Sequence, residues 1–227
     1  MLASAAGGLL PAAESVPGQK PLLVVADSFR FVPGSWARYQ VRDKKTNEDY
    51  DLYFAVLGRE EKQGQAFSWI EVDVQMKGQP RVVTRFLAAE TPQGPGDVEK
   101  AVVQVEGYSP FSVPKKYLKP KPGSEQVAQL KPVRVVRKLE RRAVGPAGRQ
   151  VQAWVVEAVT EDGQEVRAVV SEELPPIAVY DVESSEVRMT AVDWGLGAKT
   201  LIAGEPVPFW LWLMEQVEKG IAGEKEK

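Results

Sequence analysis

The stretch Ala66-Phe67-Ser68-Trp69-Ile70-Glu71-Val72-Asp73-Val74-Gln75-Met76 alternates along its whole length. Ser68, Ile70, Val72, Val74 and Met76 fall on one side, and Phe67, Trp69, Glu71 and Asp73 on the other. A side-chain period of two is that of a β-strand. Working outward, Tyr50 to Leu57 reads as the preceding strand, closed by Gly58, and Asp43 to Asp49 as a polar hairpin loop. Before that loop, Trp36 to Arg42 reads as a strand entered through the turn Val32-Pro33-Gly34-Ser35. Downstream, the Gly78-Gln79-Pro80 turn leads into a strand over Arg81 to Ala88. Thr91 to Asp97 carries the Gly and Pro of a loop, and Val98 to Val105 reads as a fifth strand. Short turns between consecutive strands predict an antiparallel meander.

Residues 107–123 change character, being rich in Pro, Lys and aromatic residues. They read as a long connection, and Ser124 to Leu130 as a short helix capped by Ser124. The strand grammar then returns in Pro132 to Ala143, Gln150 to Thr160, Glu165 to Val170 and Ser184 to Trp194. Leu22 to Ala26 is apolar enough for a strand or a helical turn. Pro206 to Lys219 is the best helix, with Trp210, Leu213, Met214 and Val217 near one face. The periodicity therefore predicts a mainly β protein of roughly nine strands and one or two helices. The expected architecture is one large curved antiparallel sheet, a half-barrel covered by one or two helices, with a β-sandwich as the alternative. Residues 21–219 are read as a single domain between a flexible 1–20 segment and a charged 220–227 tail.

Composition narrows the chemistry. The 227 residues include no histidine and no cysteine. Zinc, haem and iron–sulfur sites draw mainly on those ligands, and most nucleophile–base pairs need one of them. No phosphate-binding glycine pattern is present, since Gly195-Leu196-Gly197 follows a strand without a helix to receive a phosphate. These features predict a protein that is not an enzyme and carries no cofactor or metal. Glu71 and Asp73 share a strand face, as an acid–base pair would, but alternate charges usually mark a solvated face. A carboxylate-based hydrolase stays open as the enzymatic alternative.

Two sets of residues stand out as binding candidates. Trp36, Tyr39, Phe54, Trp69 and Phe86 run through the first meander, and with Trp210 they would line an apolar cavity for a lipid acyl chain. The second set is basic. Residues 107–150 hold 11 basic and 2 acidic residues, whereas 151–227 hold 6 basic and 15 acidic. Lys115, Lys116, Lys119, Lys121, Arg134, Arg137 and Lys138 are the predicted docking surface for an envelope protein partner or an anionic membrane. The net charge of −2 and the lack of a nucleic-acid motif argue against nucleic acid. Residues 1–13, with Ala3, Ala5 and Ala6 near a small-residue site, look like the remnant of a secretory signal.

The Trp36 to Ala89 meander, the basic Lys131 to Arg142 strand and the strand–turn run from Trp154 to Trp194 together resemble the bacterial periplasmic lipoprotein carriers and receptors of the LolA/LolB type. The resemblance covers about residues 30–195 and is architectural. It implies a half-open barrel around an apolar cavity, a periplasmic or outer-membrane-associated location, and lipid or lipoprotein acyl chains as ligand. The expected function is thus non-catalytic acyl-chain binding. The alternative is an adaptor that docks a partner through the basic 115–142 surface.

Overall fold

A computed structural model of the chain describes residues 22–25, 29–118, 130–160 and 163–224. Among these residues thirteen strands form a single sheet. They are β1 (Leu22–Val25), β2 (Trp36–Asp43), β3 (Glu48–Lys62), β4 (Gln65–Met76), β5 (Val82–Thr91), β6 (Gly94–Val105), β7 (Phe111–Ser112), β8 (Leu130–Val144), β9 (Val151–Thr160), β10 (Glu165–Val170), β11 (Val179–Glu183), β12 (Val187–Gly195) and β13 (Val207–Pro208). A 3-10 turn spans Lys115–Tyr117, and one α-helix, α1, spans Phe209–Glu224. The strand order is β1-β8-β9-β10-β11-β12-β2-β3-β4-β5-β6-β7-β13.

Two antiparallel meanders, β2–β6 and β8–β12, are joined edge to edge by β12 against β2. Each meander is local, because short turns let consecutive strands pair with little loop entropy. The join is not local: Val187 pairs with Asp43 and Gly195 with Trp36. The two ends of the sheet are parallel, β1 on β8 and β13 on β7. Parallel neighbours need long connections, and both terminal strands have them.

The half-barrel expectation is therefore corrected. The strands form one open series whose ends do not pair, and the sheet is neither curled into nor closed as a half-barrel. Nor are there two stacked sheets. The predicted Ser124 to Leu130 helix lies outside the described residues except for Leu130, which begins β8. Thr91 to Asp97, read as a loop, contains the β5–β6 turn and the first residues of β6, where the ladder is broken by register shifts.

The register assigns faces. Ala37, Tyr39 and Val41 on β2 pair with Phe54, Leu52 and Tyr50 on β3, and Val72 and Val74 on β4 continue that face. Met189 and Ala191 of β12 join it opposite Val41 and Tyr39. The chain fills this face itself. Phe29 packs 4.6 Å from Phe31 and 5.8 Å from Phe54. Leu174 and Ile177 are fully buried in the same core. The two covering segments are tied together where Arg30 N–H donates to the Pro176 carbonyl at 2.7 Å. The tip of the β8–β9 hairpin reaches β12, where Arg149 bonds Asp193 at 2.7 Å and also the Trp194 carbonyl, its guanidinium over the Trp194 ring. Gly145, at φ +121°, is required there: a Cβ would sit 2.4 Å from the Arg149 carbonyl oxygen.

Cross-strand charge at the join is managed pair by pair. Arg42 and Arg188 face each other across the join, an unfavourable match. Each has its own carboxylate, Asp49 for Arg42 at 2.6 Å and Asp181 for Arg188 at 3.3 Å. Some buried polar atoms are left without a hydrogen-bond partner among the described residues: Ser35 Oγ, Arg85 Nε, Trp212 Nε1 and the Tyr39 hydroxyl. The Tyr39 hydroxyl is fully buried at the join and has no hydrogen-bond partner, and burial holds its phenol well above the ordinary value. An unsatisfied buried hydroxyl costs about 1–3 kcal/mol. Tyr39→Phe is thus expected to raise the urea midpoint by about 1 kcal/mol of stability with an unchanged slope. A lower midpoint would show that the hydroxyl is held by something. Gly145→Ala is expected to act in the opposite direction, by about 1–3 kcal/mol, through the steric conflict with Arg149.

Candidate functional site

The second face of the first meander carries the feature that alternation concealed. Tyr53 pairs with Asp73 and Ala55 with Glu71, and Arg85, Leu87 and Val83 extend that face onto β5. Strands alternate inward and outward, so this face should be solvated once the other is core. Instead Ala55, Glu71 and Leu87 are fully buried, and Asp73 nearly so. The cover is the segment after β12, residues 196–206. It is pinned first at Gly34, whose carbonyl accepts from Ala198 N–H at 2.8 Å. It is pinned last where Val207 N–H donates to the Pro110 carbonyl at 2.9 Å. Between these points Ile202 sits on Val83 and Val102 as a small separate apolar cluster.

Glu71 is the latch of this strap. One carboxylate oxygen accepts from Thr200 Oγ1–H at 2.6 Å and the other from Leu201 N–H at 2.7 Å. Thr200 Oγ1 in turn accepts from Ile202 N–H at 3.2 Å and from Arg85 Nη1–H at 3.3 Å. Gln104 closes the far side, its Oε1 accepting from Ala203 N–H at 2.9 Å. Burial pushes the Glu71 carboxyl above the usual carboxylate range, opposed by the bonds from Thr200 and Leu201 and by the nearby Arg85 charge. Asp73 is held separately, by a two-pronged Arg81 contact at 2.9 and 2.7 Å and by Gln75 at 2.8 Å. Glu71 and Asp73 do share a face, as their spacing implies, but the expected solvent face is a covered one. Their oxygens are committed to the chain's own donors rather than to a cleft.

The described residues do not build the expected acyl-chain cavity. Tyr39, Phe54 and Phe86 lie on the core face, whereas Trp36 and Trp69 point to the strap face. Trp210 lies on α1 and is 59% exposed. Six aromatics split between two faces and a helix cannot line one cavity, and among the described residues there is no curved cavity to receive a lipid. Trp69 instead donates to Glu60 at 2.7 Å, and Trp36 to the Leu196 carbonyl at 3.4 Å, where the strap begins. The carrier-type, lipid-binding and half-barrel descriptors fall with the cavity. The periplasmic assignment finds no support in the fold or in sequence similarity, and the signal-like residues 1–13 lie outside the described residues.

The basic residues fall in two places. Lys115 and Lys116 are exposed on the 3-10 turn beside α1, and Lys119 and Lys121 lie outside the described residues. Arg134, Arg137 and Lys138 are on β8. Arg137 is paired with Glu157 through two bonds at 2.9 and 3.0 Å, and Lys138 lies over the Trp154 ring at 5.5 Å.

The helical spacing gathers Trp210, Leu213, Met214 and Val217 on one face of α1, but that face does not cover the sheet. Phe209 and Trp212 face the sheet, tilted against Phe111 at 5.5 and 4.4 Å, and Tyr117 packs on Phe209 at 6.2 Å. The opposite arc, formed by Trp210, Leu211, Leu213, Met214 and Val217, is exposed. Among the described residues no helix is long and apolar enough to cross a membrane.

The latch carries a pH signature. A carboxyl with a raised folded value binds its proton more tightly in the folded state. Its contribution to stability is therefore greatest below its unfolded value. It declines as pH rises through that value to the raised folded one, then levels off. Glu71→Gln, which keeps an acceptor for Leu201 but cannot titrate, is expected to remove this decline. Glu71→Leu leaves the Leu201 N–H without its acceptor and is expected to cost about 1–3 kcal/mol. Denaturant melts of the three proteins across the acidic range check both; a Gln variant with the same pH profile as the parent would sink the assignment. No protein-family profile matches this chain, and no curated protein matches it in sequence.

Proposed function

We propose that this chain is a non-catalytic docking protein that settles on an anionic membrane surface through α1 and the lysines beside it. One observation carries the reading: α1 is apolar on both sides. Phe209 and Trp212 spend one side on the sheet, and the other leaves Trp210, Leu213 and Met214 in water. A contiguous exposed apolar surface of large residues on a folded chain marks an interaction site. Glu215 and the shortness of its apolar run suit a helix lying in the interface rather than one spanning it. Trp210 and Tyr117, each more than half exposed, are the side chains that favour the headgroup level. Exposed Lys115 and Lys116 add attraction to anionic lipid, each about 1 kcal/mol near a charged surface. The catalytic alternative lacks a comparable observation, because the paired carboxylates are latched to the strap and to Arg81.

Co-sedimentation with vesicles tests the reading. The full chain is expected to pellet with phosphatidylglycerol–phosphatidylcholine vesicles and to stay in solution with phosphatidylcholine alone. Leu213→Glu with Met214→Glu, both solvent-facing, is expected to abolish pelleting without a change in far-UV circular dichroism. Lys115→Glu with Lys116→Glu is expected to weaken it about tenfold and to reduce its salt dependence. A parent protein that ignores both vesicle types overturns the proposal.

A further inference from the structure

The opposite end of the strand order holds a different kind of surface. β1 pairs with β8 only over Leu130 to Val133. Beyond Val133, among the described residues, β8 has β9 on one side and no strand on the other. Residues 134–144 are therefore a sheet edge with no second strand beside it among the described residues. The ladder to β9 is broken twice, between Val135 and Arg137 and between Lys138 and Glu140. The extra residues are Val136 and Leu139, and both are exposed, Val136 at 63%. After the second break Glu140, Arg141, Arg142, Ala143 and Val144 run in unbroken register with Val155 to Val151. The last stretch of the edge is thus a regular template one short strand long.

Glu140 apart, the charged side chains on and beside that template are basic. Arg134, Arg141 and Arg142 make no hydrogen bond or ion pair among the described residues, whereas Arg137 is neutralised by Glu157. Arg141 lies directly opposite Trp154 across the pair, so both are on one face, and Lys138 covers the Trp154 ring from the same side. Arg142 lies on the other face, opposite the buried Ala153. Bulges and cations on an edge keep like strands apart: two copies of β8 would bring Arg141 and Arg142 against their own kind. Edge protection does not account for the apolar groups. Val136, Leu139 and Trp154 are left in water at the place where exposed apolar surface most favours aggregation, unless a partner covers it.

We propose that the Glu140–Val144 edge of β8 takes an acidic extended segment of a partner protein as an added strand. Main-chain bonds to the free edge supply affinity, and alternate side chains of the guest meet Arg141 with Trp154 on one face and Arg142 on the other. Carboxylates opposite the two arginines give the choice of partner, because the same edge repels basic strands.

The probe is a fluorescein-labelled eight-residue peptide in which pairs of adjacent Glu alternate with Val, so that carboxylates fall on both faces of the added strand, read by fluorescence anisotropy on the full chain. Saturable binding is expected, with none for the Lys-and-Val counterpart. Arg141→Glu and Trp154→Ser are each expected to weaken it about tenfold or more. Arg141 is exposed, so its variant reports on binding even if the Trp154 variant is unstable. The same peptide N-methylated at alternate amides is expected to lose binding, since it cannot form the ladder. Equal binding by the methylated peptide, or by Arg141→Glu, overturns strand addition and leaves general attraction of polyanions. Equal capture of an anionic vesicle through this edge in the Leu213→Glu/Met214→Glu protein would also overturn it. That double variant is otherwise expected to bind the peptide like the parent, so failure here is separable from failure of the membrane reading.

Discussion

Everything in this molecule hangs on the pairing of β12 with β2. Each meander forms from neighbouring strands and could be assembled in many relative placements. Eight residues of β2 against β12 remove that freedom. They also bring the chain after Gly195 to the first meander, since β12 ends beside Trp36. The loop-closure cost of this contact is large and is met only once. It is offset by Tyr39 and Val41 packing on Ala191 and Met189, and at the far end by Lys44, whose ammonium bonds the Ser184 carbonyl and Glu183. The orphaned Tyr39 hydroxyl at this contact shows that volume, rather than hydrogen bonding, decides what fills the join.

The strap follows from that pairing. Residues 196–206 leave β12 on the far side of the first meander and must cross it to reach β7. An apolar crossing alone would leave its backbone donors unsatisfied against a buried face. Glu71 and Gln104 are the acceptors that solve this, one on β4 and one on β6. The crossing delivers Val207 beside Phe111, where β13 forms and α1 begins. The orientation of the exposed helix face is in this sense set by two side chains in the middle of the sheet.

Alternation made most strands legible, because a period of two is written in adjacent residues. The strand predicted at Glu165 to Val170 is β10, and Trp36 to Arg42 falls short of β2 only by Asp43. β11 was missed because Val179 to Glu183 mixes buried and half-buried positions just after Pro175 and Pro176. The site was less legible. Glu71 and Asp73 carry the pattern of a solvated face, and what covers Glu71 arrives from 129 and 130 residues away. The aromatic set failed through parity. Trp36 and Tyr39 are three apart, and on a strand an odd spacing means opposite faces. Curvature and closure depend on how the strand ends meet, and no local pattern records that. The basic run was visible, but its position on an edge was not, since that depends on how far β1 reaches along β8.

An open sheet has two ends to protect, and this one treats them differently. At the β13 end a helix covers the last strands, and burying Phe209 and Trp212 turns the helix's other apolar arc outward. At the β8 end no strand among the described residues pairs with β8 past Val133 on its outer side, and bulges and cations do the protecting. Covering by a helix satisfies the edge but creates an apolar surface, whereas charging the edge keeps it soluble but leaves its amides and carbonyls unpaired. Each remedy exposes what a particular partner needs: apolar area with lysines for a lipid surface at one end, and a free ladder with arginines for an acidic strand at the other. A closed barrel of the same strands would have abolished both edges and both surfaces. The openness that removes the acyl cavity is therefore the same property that gives the chain two places to bind.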